Sequence, residues 1–145
     1  RQRQMCIRDR YYHDQEYTEK AIERYQEFLD DFPESKLNDA AVKSIEILRG
    51  KLGKKIYETG ILYMKLDEFE SAKMTFQSVI DMYYDTQIIQ LAYKGMVEAL
   101  ARNKEIDEAR SLLSEHENIL FESGLYDDAA KTIEKMQKII LKASN

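Results

Sequence analysis

The sequence predicts an all-α fold, a helical solenoid of antiparallel helix pairs, and three observations lead there. One proline and five glycines in 145 residues leave few of the breaks that a loop-rich β-architecture needs. Apolar residues recur at three- and four-residue spacing along most of the chain, the period of a helix with one buried face. A pattern of small and large residues also repeats, with Ala21, Tyr25 and Phe28 matched by Ala72, Phe76 and Val79, and less closely by Ala109 and Leu113. A repeat of this kind is one supersecondary unit that buries its apolar face only by stacking on its neighbours.

The elements follow in order. A helix is expected near 18–31, where Ala21, Ile22, Tyr25, Phe28 and Leu29 form a stripe that stops before Pro33. Asp30 and Asp31 at its end read as a solvated terminus rather than a carboxylate pair for acid–base work. A longer helix is expected over 37–66, with Ala41, Ile45, Leu48 and Leu52 on one side. Gly50 and Gly53 interrupt it, each at a cost of about 1 kcal/mol relative to alanine, so one kinked helix and two shorter ones both satisfy the pattern. Further helices are expected near 68–83, 87–102, 105–121 and 125–142. The last carries Ala129, Ile133, Met136 and Ile140 on one face and is expected to cap the stack.

Within "IYETGILYMKLDEFESA", Gly60 and Tyr63 precede a turn and then Ala72. This segment and the helix after it resemble the tetratricopeptide-repeat family, whose helix pairs place a glycine and tyrosine on the first helix and an alanine and aromatic on the second. The physical sense is that Gly60 and Ala72 let two antiparallel helices approach, while Tyr63 and Phe76 fill the space around that contact. Tyr25 and Tyr63 are accordingly assigned to packing, and Ile56 stands where the family's tryptophan is expected. Ala21 and Ala72 are 51 residues apart and Ala72 and Ala109 are 37 apart, so the first interval holds helix beyond one repeat of about 34 residues.

Carried back from Ala21, the template puts Tyr12 on the first-helix tyrosine and calls for a leucine-glycine pair where Arg8 and Asp9 stand. The first repeat is therefore expected to be truncated at its N-terminal side. Residues 1–10, "RQRQMCIRDR", match one reading frame of the adapter used in transposase-based library preparation, and they are set aside as a non-native segment. A coding DNA with other codons would refute that reading. Residues 11–145 are then the repeat domain, and Cys6, the only cysteine, falls outside it.

Charge narrows the function. The first ten residues carry a formal +3, which leaves −8 on residues 11–145, and an acidic body without a basic stripe gains nothing from phosphate neutralisation. A nucleic-acid partner is not expected. No run approaches the roughly 18 apolar residues of a membrane span. His13 and His116 are the only histidines, and neither belongs to a zinc-ligand spacing. Glu115 and Glu117 flank His116, but adjacent helical residues do not converge on one ion. Without a nucleophile elbow or a phosphate-cradling loop, no catalytic residue, cofactor or metal is expected, and the chain is not expected to be an enzyme.

A binding surface is expected instead. The repeat template places Tyr57, Ile61, Met64 and Lys65 of the second repeat on the inner wall, followed by Lys94, Glu98 and Arg102 of the third. Tyr57, Ile61 and Met64 form a short apolar strip flanked by charges, suited to an extended or helical peptide.

Residues 35–100 resemble the C-terminal half of the BamD family of outer-membrane assembly-factor lipoproteins. The residues that carry the likeness are Ala41, Ile45, Leu48 and Leu52, the tyrosines Tyr57 and Tyr63, then Ala72, Phe76, Tyr83, Asp85 and Thr86 in a Y-P-D-T-like turn. "FLDDFPESK" is similar to the family's Y-P-N-S turn, and the likeness extends from Thr18 to Leu113. Gly53 departs from the usual alanine and Tyr84 from the second turn proline. The resemblance implies a periplasm-facing scaffold held to the outer membrane by a lipid on a cysteine other than Cys6. It also implies two kinds of protein partner, the barrel-assembly subunit and unfolded outer-membrane protein clients. A coordinator of the Tol-Pal type is the alternative, although its evenly spaced repeats fit the 51-residue interval poorly. A cytosolic adaptor, or a helical domain attached to an enzyme, is a further one.

Overall fold

A computed structural model describes residues 2–145, with side chains from Gln15 onward. The readings of residues 1–10, Cys6, Tyr12 and His13 concern side chains outside that range. The elements are α1 (Gln2–Asp31), α2 (Asn38–Lys65), α3 (Phe69–Met82), α4 (Ile88–Arg102), α5 (Ile106–Glu115), α6 (Glu117–Glu122) and α7 (Tyr126–Ala143). Among the described residues there is no strand, and the all-α expectation holds.

Two boundaries differ from the sequence reading, and one open choice is resolved. The helix expected near 18–31 is the last part of α1, because no proline or glycine before Pro33 interrupts the chain. Of the two arrangements that Gly50 and Gly53 left open, the single helix is found, and α2 runs through both. Space explains Gly53: a Cβ there would lie 2.9 Å from Ile88 Cγ2 and 3.0 Å from the Tyr83 ring. The helix expected over 105–121 is split at His116, whose φ of −112° ends α5 and starts α6.

The chain forms two units, Arg1–Leu52 and Gly53–Asn145. In the first, Ile22 and Ala41 are buried. The turn after α1 is fixed by Asn38 Nδ2 donating to Pro33 O at 2.7 Å and by the Leu37 N–H donating to Ser35 Oγ at 3.2 Å. Tyr25, assigned above to packing, is instead 37% exposed, on a groove between α1 and α2.

Gly53–Asn145 holds three helix pairs: the last turns of α2 with α3, α4 with α5, and α6 with α7. Each pair turns through one left-handed residue, Asp67 (φ 58°), Lys104 (φ 68°) or Gly124 (φ 72°). In each, the next N–H reaches back to the carbonyl five residues earlier: Glu68 to Tyr63, Glu105 to Leu100 and Leu125 to Leu120, all at 2.9 Å. These bonds satisfy carbonyls that a helix end otherwise leaves unpaired. Four residues beyond each bond donor stands a fully buried alanine: Ala72, Ala109 or Ala129. At these positions a larger side chain would push the paired helix away.

Helix α4 lies at the centre. Its Met96 and Ala99 join Met64, Ala72 and Phe76 in one core cluster. Its Val97 and Ala101 join Ala109, Leu113, Leu120, Ala129 and Ile133 in another. The Phe76 ring sits between two glycines, since a Cβ on Gly60 or Gly95 would approach it to 2.6 or 2.7 Å. Their missing side chains are the room that the ring occupies.

Candidate functional site

The seven residues expected on the inner wall lie on the end of α2 and along α4, within one unit. They do not all have the same character. Met64 is 7% exposed and belongs to the core, because Met96 and Ala99 of α4 cover it. Tyr57 and Ile61 are half-buried and pack against that same cluster, each keeping part of its surface open. Lys65 is exposed at the end of α2.

On α4, Lys94 and Glu98 are one turn apart and pair at 3.5 Å, both side chains partly buried. Burial raises the Glu98 carboxyl above the usual carboxylate range. Lys94 pulls it back, Asp128 of α7 pushes it further up, Arg102 lowers it, and the net direction is upward. The Tyr57 hydroxyl is also pushed up, first by burial and then by the Glu98 charge, which ties α2 and α4 into one electrostatic neighbourhood. A carboxylate that loses hydration without full compensation is costly to a fold, and such groups concentrate where a second molecule completes their environment.

Arg102 is drawn away from this group. Its guanidinium bonds Asp67 at 3.0 Å and lies 4.9 Å from the centre of the Phe69 ring, which fastens the end of α4 to the turn between α2 and α3. The structure therefore brings Tyr57, Ile61, Lys94 and Glu98 together, leaves Lys65 and Arg102 at the margin, and removes Met64. Asp128 is the residue that sequence reasoning missed. Its signal was the third turn, "SGLYDDA", which parallels "LDEFESA" and "NKEIDEA".

No grouping of three or more histidine, cysteine, aspartate or glutamate side chains fit to hold a metal occurs among the described residues. His116 serves a packing role, its ring stacked on Tyr93 with centroids 3.8 Å apart.

A family model described as YfiO, outer membrane lipoprotein, matches residues 1–115. The chain belongs to this family. The match covers α1 to α5 and ends at the last residue of α5, so α6 and α7 lie beyond it. Membership in the YfiO family bears out, at the level of the family, the BamD-like character read from residues 18–113. No curated protein matches the chain. No helix among the described residues is long and apolar enough to cross a membrane.

Proposed function

We propose that this YfiO-family chain is a non-catalytic scaffold of outer-membrane β-barrel assembly. On this reading the face formed by Tyr57, Ile61, Lys94 and Glu98 receives the barrel-assembly subunit or an unfolded outer-membrane protein client. Lys65 and Arg102 form its charged margin. The observation that supports it is the partly desolvated Glu98 beside half-buried Tyr57 and Ile61, on helices held in register by Phe76 between Gly60 and Gly95. Such a face offers apolar area with a few charges at fixed positions, the composition of a specific protein contact rather than of an inert helix surface. Periplasmic location and attachment through a lipid are parts of the same proposal.

The test is co-purification from native membranes of the full-length protein carrying Ile61→Asp, compared with the unchanged protein. Retention of the barrel-assembly subunit is expected to fall by at least about tenfold, the effect of about 1.4 kcal/mol at a central contact. Undiminished retention together with an unchanged melting temperature would remove this face from the role.

A further inference from the structure

A second surface, separate from that face, lies between α3 and α5. Both helices pack on α4, and the open groove between them has a volume of about 830 Å³. Its floor is apolar, formed by Met96 and Leu100 of α4 and by Leu112 of α5. Met74 of α3 stands on one wall with 72% of its surface exposed. The rim is acidic, with Glu70 and Asp81 on the α3 side and Asp107, Glu108 and Glu115 on the α5 side. The one basic residue lining it, Lys73, is already held by Glu105 at 2.7 Å and Glu70 at 2.9 Å. It offers little to neutralise the other four carboxylates. At one end of the groove the Tyr93 hydroxyl is pushed up by burial and then by Asp81 and Glu115, so the negative potential reaches its neighbours.

We propose that this groove docks a basic amphipathic helix of a partner polypeptide. Charge complementarity sets the sign, since lysines or arginines flanking an apolar stripe would meet Asp81, Asp107 and Glu108, which have no salt-bridge partner among the described residues, and Glu115, which has only the His116 imidazole at 3.9 Å. The backbone chemistry sets the conformation. The walls are helices whose amides and carbonyls are bonded internally, so an extended segment would lay its own polar backbone over Met96, Leu100 and Leu112 without a partner. A helix satisfies its backbone itself and presents only side chains. The unbranched thioethers of Met74 and Met96 adapt to side chains of different shape, as in other grooves that receive helices.

The test uses the full chain and a fluorescent synthetic peptide of about 14 leucines and lysines, with leucines at helical spacing. An isomer of the same composition has leucine and lysine alternating. Anisotropy titration at moderate salt is expected to show the helical isomer binding at least about tenfold more tightly. The double variant Asp81→Lys with Glu115→Lys is expected to weaken binding by at least about tenfold. Both residues lie in the last turn of their helices, where a cation suits the helix dipole, so the variant is expected to fold. Glu122→Lys with Glu134→Lys changes net charge equally at exposed residues of the same unit that do not line the groove and is expected to alter affinity less than about twofold. Equal binding of the two isomers, or equal weakening by the two double variants, would overturn the proposal. So would self-association of the chain, seen by sedimentation, that Asp81→Lys with Glu115→Lys abolishes. The occupant would then be a second copy offering the exposed Ile139 and Leu141 and the lysines Lys135, Lys138 and Lys142 of its own α7.

Discussion

The α2–α3 pair and the α4–α5 pair share one plan and fill it differently. Both turn through a left-handed residue, close with the same backbone bond and bury an alanine at the same place in the second helix. In the first pair the facing residues are Gly60 and Phe76, and in the second they are Val97 and Leu113, so volume removed from one helix reappears on the other. The close approach at the alanine is common to both, whereas the bulk beside it can come from either side. The outward positions diverge more. Tyr57, Ile61 and Lys65 in the first pair correspond to Lys94, Glu98 and Arg102 in the second, so one side of the candidate face is mainly apolar and the other charged.

The largest expected effect comes from emptying the space that the glycines leave. Phe76→Ala is expected to cost about 4 kcal/mol and Leu113→Ala about 3, because the phenyl ring alone fills the gap between two residues without side chains. Chemical denaturation of both variants checks the difference, and a larger loss at Leu113 would break the comparison. Gly60→Ala and Gly95→Ala are each expected to cost about 1–3 kcal/mol by crowding the same ring. Phe76→Leu combined with Gly60→Ala moves the first pair toward the filling of the second. The double variant is expected to lose about 1 kcal/mol less than the sum of its parts, which a double-mutant cycle measures.

How much of this was legible in the sequence follows from the same contrast. Ala72, Ala109 and Gly60 were readable because a small residue at a close helix contact has few substitutes. Gly95 was not, since it packs on Phe76 of the preceding pair and has no counterpart in the template. Met64 was read as surface from its place on an outward stripe, but only the arrival of α4 shows that it is covered. The third pair was hidden by its length: Ala129 follows Ala109 by 20 residues rather than 37, although its turn "SGLYDDA" repeats the pattern. Tyr25 holds the position of Phe76 in the first copy and remains partly exposed, whereas Phe76 is enclosed by α2 and α4. Fillers depend on every helix that surrounds them; small residues and turns depend on the chain nearby.

The turns sharpen the comparison at smaller scale. Lys104→Gly is expected to raise stability by up to about 1 kcal/mol, because glycine tolerates the positive φ that lysine adopts there. Gly124→Ala, at the equivalent turn, is expected to lower it by a similar amount, and thermal melts of the two should shift in opposite directions.

The smallest effect concerns Glu98. Its folded pKa is raised, so the folded protein binds this proton more readily than the unfolded chain does. The protonated form therefore adds stability that is fully present below the unfolded carboxylate pKa and is lost as pH rises through the higher folded value. Glu98→Gln is expected to flatten that part of the stability profile, as urea melts at a series of pH values from about 4 to 7 would show. An unchanged slope would mean that Lys94 and Arg102 fully compensate the charge.

The central claim is that the apolar edge of the α2–α4 face grips another polypeptide, and photo-crosslinking in intact cells tests it most directly. A photoreactive residue at position 61 of the full-length protein is expected to capture the barrel-assembly subunit or a nascent outer-membrane protein, while one at the exposed Tyr84 captures neither. Crosslinks from position 84 with none from position 61 would contradict the account.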